Sequence, residues 1–311
     1  EGYDWEEYLP GNTSDTLWTE FYSVEQDPQV LNPNSGFIFN SNNTPFRCTD
    51  DAENPKPSDF SKTMGIETHM SNRGLREYEQ LNADTSITEE EFTEYKYDRA
   101  YSVDSEIAKA WHKVMEAQAP DDPVIKEALE VWKNWDLQTN PENTSAAICV
   151  LTLGPGSDND VKAGNLDATF ELLKNNAIAL KESHGKIDVP WSEVNRLKQG
   201  DVNIGLGGGP DILHAVYGSR VVNGKLEGLE NGQIFGRAGD CYILLATWDK
   251  DGKVRSRSIH QYGSATMRKD SKHYADQAPL FCKRELKPVW LDKSEIRAHL
   301  EQEYKPGEER R

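Results

Sequence analysis

Leu31-Asn32-Pro33-Asn34-Ser35-Gly36-Phe37-Ile38-Phe39-Asn40-Ser41-Asn42-Asn43-Thr44-Pro45 joins a short apolar run to a polar cluster without a break. Gly36–Phe39 predicts a strand, and the Asn/Ser/Thr/Pro cluster that ends it is either a turn or a site. Asn at such a position commonly closes an Asx turn on its own backbone. Asn42-Asn43-Thr44 also fits the short glycosylation acceptor pattern, as do Asn12-Thr13-Ser14 and Asn143-Thr144-Ser145, and chance explains most matches of that length.

Downstream the pattern turns helical over 61–140. Thr88 with Glu91 forms a capping box that opens a helical segment over 89–117. Asp122-Pro123 supplies an N-cap and a first-turn proline, and Ile125, Leu129, Trp132 and Trp135 then recur on one helical face, which reads as core. Ala146–Leu153 is an apolar run of strand length. Asp167–Ser183 is a helix, with Phe170, Leu173, Ala177 and Leu180 on one face and Gly185 as its terminator. Pro190-Trp191 starts a short helical turn, and Gly205–Pro210 interrupts regular structure. Cys241–Trp248 and Lys253–Ile259 flank Asp249-Lys250-Asp251-Gly252 as a hairpin, and Ser294–Tyr304 closes the pattern as a polar helix. The expected organisation is α+β, divided at 1–60, 61–140 and 141–311.

The 311 residues carry 35 Lys and Arg against 53 Asp and Glu, a net charge of −18. Such a surface repels phosphate backbones and anionic lipid, so nucleic-acid binding is excluded on charge. No apolar stretch approaches the ~18–20 residues of a membrane span, which excludes helical membrane insertion. The four cysteines, Cys48, Cys149, Cys241 and Cys282, form no C-x-x-C pair. One disulfide could form among them, with the pairing open, and Cys149 and Cys241 lie in apolar runs expected to be buried. No P-loop, G-x-S-x-G elbow or H-E-x-x-H occurs, and Gly205-x-Gly207-x-x-Pro210 fails the dinucleotide pattern at its last position. Read by motif, the chain holds no self-sufficient catalytic apparatus.

Several segments in order do carry a resemblance. They are Gly11–Trp18; Asn32-Pro33 with Gly36–Ile38 and Asn40–Pro45; Asn72-Arg73-x-x-Arg76; Gly207–Asp211; and His273-Tyr274-x-Asp276-Gln277 with Lys287-Pro288. Together they resemble the penicillin acylase family of N-terminal nucleophile hydrolases, which includes penicillin, cephalosporin and acyl-homoserine-lactone acylases. The resemblance implies part of an αββα sandwich with a helical insertion. It implies a precursor that cuts itself into α and β chains, and a β-chain N-terminal Ser whose own α-amine, with a pKa of about 7.7–8, serves as base. The linear amide of an N-acylated substrate would be cleaved through an acyl-enzyme.

The sequence opens on Glu1, which is neither Ser, Thr nor Cys, and the matches are those of a later part of the β chain. The expectation is therefore a C-terminal β-chain portion, whose partners are the α chain, the Ser-bearing N-terminal part of the β chain and a small acylated substrate. By motif position the resemblance makes Asn42 the oxyanion-hole donor, with Asn43 as the register alternative, and Arg73 the orienting residue, with Arg76 as runner-up. His273, Asp276, Gln277 and the Gly207–Gly209 run are expected to be scaffold, and Phe37, Phe39 and Phe46 either pocket lining or core. No cofactor is required on this reading. Structural calcium is an option for which Asp50, Asp51 and Glu53 lie in the appropriate stretch. A periplasmic or secreted location follows from the resemblance alone. The competing readings are a non-catalytic descendant that binds an acylated ligand or a partner, and an inactive fragment.

Overall fold

The computed structural model describes residues 3–4, 7–154, 161, 164–218, 221–222, 225–226, 229, 231–305 and 307–308. The helices come first. Ser71 caps α1 (Asn72–Ala83) by accepting from the Gly74 amide. The capping box of Thr88 and Glu91 opens α2 (Glu89–Lys96), and Ser105 caps α3 (Glu106–Glu116). The 89–117 segment is thus two helices and not one. Between them the chain extends, and Ala100 bridges Gln138. Asp122 caps α4 (Pro123–Trp132) through the Val124 and Ile125 amides, as Asp-Pro at a helix start predicts.

Ala146–Leu153 is helix α5 and not a strand, and every one of its eight residues is buried. An apolar run of that length has no periodicity to separate a buried helix from a buried strand. Here the Asn143 side chain decides: its Oδ1 accepts from the Ser145 and Ala146 amides at 2.9 and 2.8 Å and starts the helical turn. The next helix, α6 (Leu166–His184), runs one residue beyond the expected span at each end and stops at Gly185, φ +76°. The short α7 (Trp191–Val194) follows Pro190. Val114, Trp132, Ile148, Leu173 and Trp191 meet in the main core around α5. Of the predicted stripe, Ile125, Trp132 and Trp135 lie in that core and Leu129 packs against it.

The strands are short: β1 (Asn195–Gln199), β2 (Val202–Gly205), β3 (Val216–Tyr217), β4 (Val221–Val222), β5 (Lys225–Leu226), β6 (Ile234–Phe235), β7 (Ala238–Gly239), β8 (Tyr242–Trp248), β9 (Val254–His260) and β10 (Lys287–Pro288). They form small sheets in the orders β2-β1-β6, β10-β9-β8, β3-β7 and β4-β5. β8 and β9 make the expected hairpin, antiparallel from Tyr242↔His260 to Trp248↔Val254. Leu197, Val216, Ile243, Ile259 and Phe281 form a second core beneath them, with Phe281 carried by α8 (Ala278–Cys282). The mixed α and β content is as expected, while the small sheets do not by themselves compose an αββα sandwich.

Three further expectations change. Gly36–Phe39 joins no ladder; Phe39 donates one backbone bond to Cys48 O at 2.9 Å. The last helix, α9, covers only Lys293–Ala298. All four cysteines are free thiols, and Cys241, just ahead of β8, is exposed and not buried. Cys149 is buried, as expected.

Candidate active site

The Asn40–Pro45 segment lies against the N-terminus of α1. Thr44 N donates to His69 O at 3.0 Å, and the α1 cap Ser71 donates its hydroxyl to Ser41 O at 3.2 Å. The fit is close: a Cβ on Gly74 would stand 2.9 Å from the Asn43 Cβ. Glycine at 74 therefore lets the helix approach the segment. Phe39, Tyr78 and Leu81 form a small core beneath, which answers the pocket-or-core question for Phe39, while Phe46 packs on Phe60 at 5.7 Å.

The two adjacent asparagines differ sharply. Asn43 is buried, and its side chain is spent on the loop: Oδ1 accepts from Ser41 N at 2.7 Å, and Nδ2 donates to Thr44 O and Arg47 O at 3.1 and 2.8 Å. Asn42 is exposed, in left-handed backbone at φ +60°, a region open mainly to Asn, Asp and Gly among ordinary residues. Its backbone N–H donates to Asn40 Oδ1 at 2.9 Å. Arg73 Nη2 donates to Asn42 Oδ1 at 3.1 Å. A guanidinium can only donate, so the amide oxygen must face it. The Asn42 NH₂ is then turned away from Arg73, and it makes no hydrogen bond among the described residues.

Arg73 is held in turn by Asp211, whose Oδ1 accepts from Nε at 3.2 Å. Asp211 Oδ2 accepts from the Asn72 amide at 2.8 Å, and the buried Asn72 side chain donates to Asp211 O at 2.7 Å and Ala100 O at 3.2 Å while accepting from Ser102 N at 2.8 Å. The result is a line of contacts from Asp211 through Arg73 to Asn42. Asp211 ends the Gly207–Pro210 run. A Cβ on Gly207 would meet Thr139 O at 2.7 Å, and one on Gly208, at φ +100°, would meet His214 O at 2.5 Å. The run lets backbone pass close to backbone, as expected. Asp211 and Asn72 also border a cavity of about 240 Å³ whose wall includes His69, Leu153 and Tyr217.

Arg76 is not an equivalent of Arg73. It pairs with Asp98 at 2.8 Å and Glu79 at 2.6 Å, which ties α1 to the chain beyond α2. Glu77, one turn beyond Arg73, accepts from the Ser41 hydroxyl. Burial holds its carboxyl above the ordinary range, against the opposing pull of that bond and of the Lys96 and Arg73 charges. Asp50, Asp51 and Glu53 do not converge. Glu53 accepts from the Asn34 and Ser35 amides, Asp50 from Ala52 N, and Asp51 lies 3.7 Å from Arg47. No group of three or more His, Cys, Asp or Glu side chains able to hold a metal ion occurs among the described residues. His273 and Asp276 are 2.8 Å apart, and Gln277 accepts from His260 N at 3.0 Å, so the expected scaffold contacts are present.

Sequence reasoning gave Asp211 and Asn72 no role of their own. The only signal available was their place inside two of the matching segments.

The penicillin amidase family model matches residues 5–298, and the chain belongs to that family. Among solved structures it is similar to a thermostable penicillin G acylase from Alcaligenes faecalis, at 16% identity and a TM-score of 0.48, with 93% of this chain covered. The chain spans 60% of that acylase chain's length. No helix among the described residues is long and apolar enough to cross a membrane.

Proposed function

We propose that this chain is a β-chain portion of an amidohydrolase that cleaves the linear amide of an N-acylated substrate, and that Asn42 is its oxyanion donor. The observation that carries the reading is the Arg73–Asn42 contact, which turns the amide NH₂ of the exposed Asn42 away from Arg73. In this mechanism an N-terminal Ser on another polypeptide attacks the acyl carbonyl, with its own α-amine taking the proton. The Asn42 NH₂ donates to the oxygen as negative charge develops there. Arg73 fixes the orientation of that amide and is a positioning residue, with Asp211 holding Arg73. The C–N bond breaks as the α-ammonium returns its proton to the leaving amine, and water then hydrolyses the acyl-enzyme ester to release the acid. Membership of the family supports hydrolase chemistry of the acylase type. The companion α chain, the αββα sandwich around the site and a periplasmic or secreted location belong to the same proposal. An acyl-homoserine lactone, a β-lactam or another N-acyl compound fits equally.

The test uses the native assembly. N-terminal sequencing is expected to find a companion polypeptide headed by Ser, and mass analysis to find the acyl group trapped on it. Asn42→Asp keeps the left-handed backbone and the Arg73 contact but removes the donor. It is expected to lower kcat by about 10²–10³, equivalent to roughly 3–4 kcal/mol, with KM little changed. Full activity in this variant, or an assembly without an N-terminal Ser, would refute the proposal.

A further inference from the structure

β8 is an edge strand, since its sheet runs β10-β9-β8. Its pairing register shows which backbone groups face outward. Gln261 N donates to Cys241 O and Asp249 N donates to Lys253 O, so the hydrogen-bonded pairs with β9 fall on odd residues of β8. The N–H and C=O of Tyr242, Leu244, Ala246 and Trp248 therefore point to the open edge, where no backbone partner is found among the described residues. An edge of seven residues, Tyr-Ile-Leu-Leu-Ala-Thr-Trp, has none of the charges or prolines that guard exposed edges. Tyr242, Leu244 and Trp248 are also 46%, 48% and 66% exposed, on the face that carries Ser256 and Ser258 of β9.

A cavity of about 140 Å³ lies along this edge, since both Leu244 and Leu245, which face opposite sides of the sheet, line it. α1 and α2 wall the other side with Gln80, Leu81, Phe92 and Tyr95. Gln80 is the anomaly. Its amide nitrogen and oxygen are both buried, and neither has a hydrogen-bond partner. A buried amide left so costs about 1–3 kcal/mol for each unmet group. The three other polar side chains at this cavity are engaged, Lys96 by Asp240, Glu77 by Ser41 and Tyr95 by Asp84.

We infer that the groove between β8 and the α1–α2 pair accepts an extended, uncharged segment of a companion polypeptide, which pairs as a fourth strand on β8 and meets Gln80 with a peptide group. An extended peptide presents a row of N–H and C=O groups, as the edge requires, and each peptide unit matches a primary amide donor for acceptor. An inserted helix would satisfy neither, because its backbone groups are already paired. Apolar side chains at alternate positions would cover Tyr242, Leu244 and Trp248. The proposal rests on the preceding section only for the origin of the segment, and its chemistry is tested without that chain.

The probe is an acetylated, amidated heptapeptide alternating Thr and Val, with a control N-methylated at alternate residues so that its pairing edge has no N–H. Amide hydrogen exchange is followed across 242–248. The peptide is expected to slow the even-numbered amides about tenfold, and the N-methylated control to leave them unchanged. Gln80→Leu removes the orphan amide without emptying the site. It is expected to weaken peptide affinity at least about threefold while the chain's own Tm is kept or raised. Three results would each overturn the inference: no protection at millimolar peptide, equal protection by the control, or protection that rises with protein concentration alone, which would make a second copy the occupant. Peptide binding without any acylase activity in the native assembly would sink the proposed function and leave this inference standing.

Discussion

Replacing Asn72 by Ala tests whether the site is held from below. Asn72 is 4% exposed and joins three pieces of chain. Its Nδ2 donates to Ala100 O and Asp211 O, and its Oδ1 accepts from Ser102 N. Ala removes all three bonds, which at about 1 kcal/mol each gives about 3 kcal/mol. The groups left behind sit where water has poor access, which lifts the expected loss to roughly 3–5 kcal/mol. Asp211 loses the side-chain anchor on its carbonyl, and Arg73 then loses its fixed partner. The assay is equilibrium urea unfolding, with Lys126→Ala as control, since Lys126 pairs on the open surface with Asp121 and is expected to change stability by less than about 0.5 kcal/mol. A loss below about 1 kcal/mol for Asn72→Ala would refute the reasoning, because the three bonds could not then be load paths between α1, the Ala100–Ser102 stretch and the Gly-Pro-Asp turn.

His214 is wholly buried, and burial, reinforced by the Arg99, Lys96 and Arg284 charges, holds its pKa well below the ordinary histidine value. Its folded pKa is depressed, so its neutral form is fully stabilising above about pH 6.5, and that stability is lost as pH falls below this value, at up to about 1.4 kcal/mol per pH unit. The difference in urea midpoint between the protein and His214→Gln should shrink over that window; a constant difference would sink the assignment. Asp240 and Glu77, both raised by burial, act in the opposite sense as pH rises through the carboxylate range, so only the difference isolates the histidine. Gly208→Ala, at φ +100° and 2.5 Å from His214 O, should cost about 2 kcal/mol or more, and a neutral result would mean the Gly run is not a close crossing. Iodoacetamide under native conditions should label Cys241 first and half-buried Cys282, its thiol pushed up to about 11 by burial, more slowly, while buried Cys149 reacts only on unfolding. Rapid labelling of Cys149 would contradict its burial.

The helices that carry their own punctuation were legible in the sequence. Asp122-Pro123 and Thr88 with Glu91 act within one turn, so local chemistry settles those starts. Ala146–Leu153 was not legible, because a segment buried on every side has no polar face to reveal its period. Asn42 and Arg73 came from the resemblance and not from spacing. What residues alone could not supply was Asp211, which reaches Arg73 across 138 positions of sequence. Nor could they separate Asn42 from Asn43, since that difference lies in which amide the loop consumes.

The encasement of α5 reaches beyond packing. Eight residues are too few to hold a helix in water, so Ala146–Leu153 has no conformation of its own to contribute early in folding. Its walls, α3, α4 and α6, lack a filled centre until it arrives. Neither can wait for the other, which makes these four helices one cooperative unit. The amides of α5 should exchange only through opening of the whole unit, and a chain cut between α4 and α6 would lose the helical region entire rather than shed one element from it.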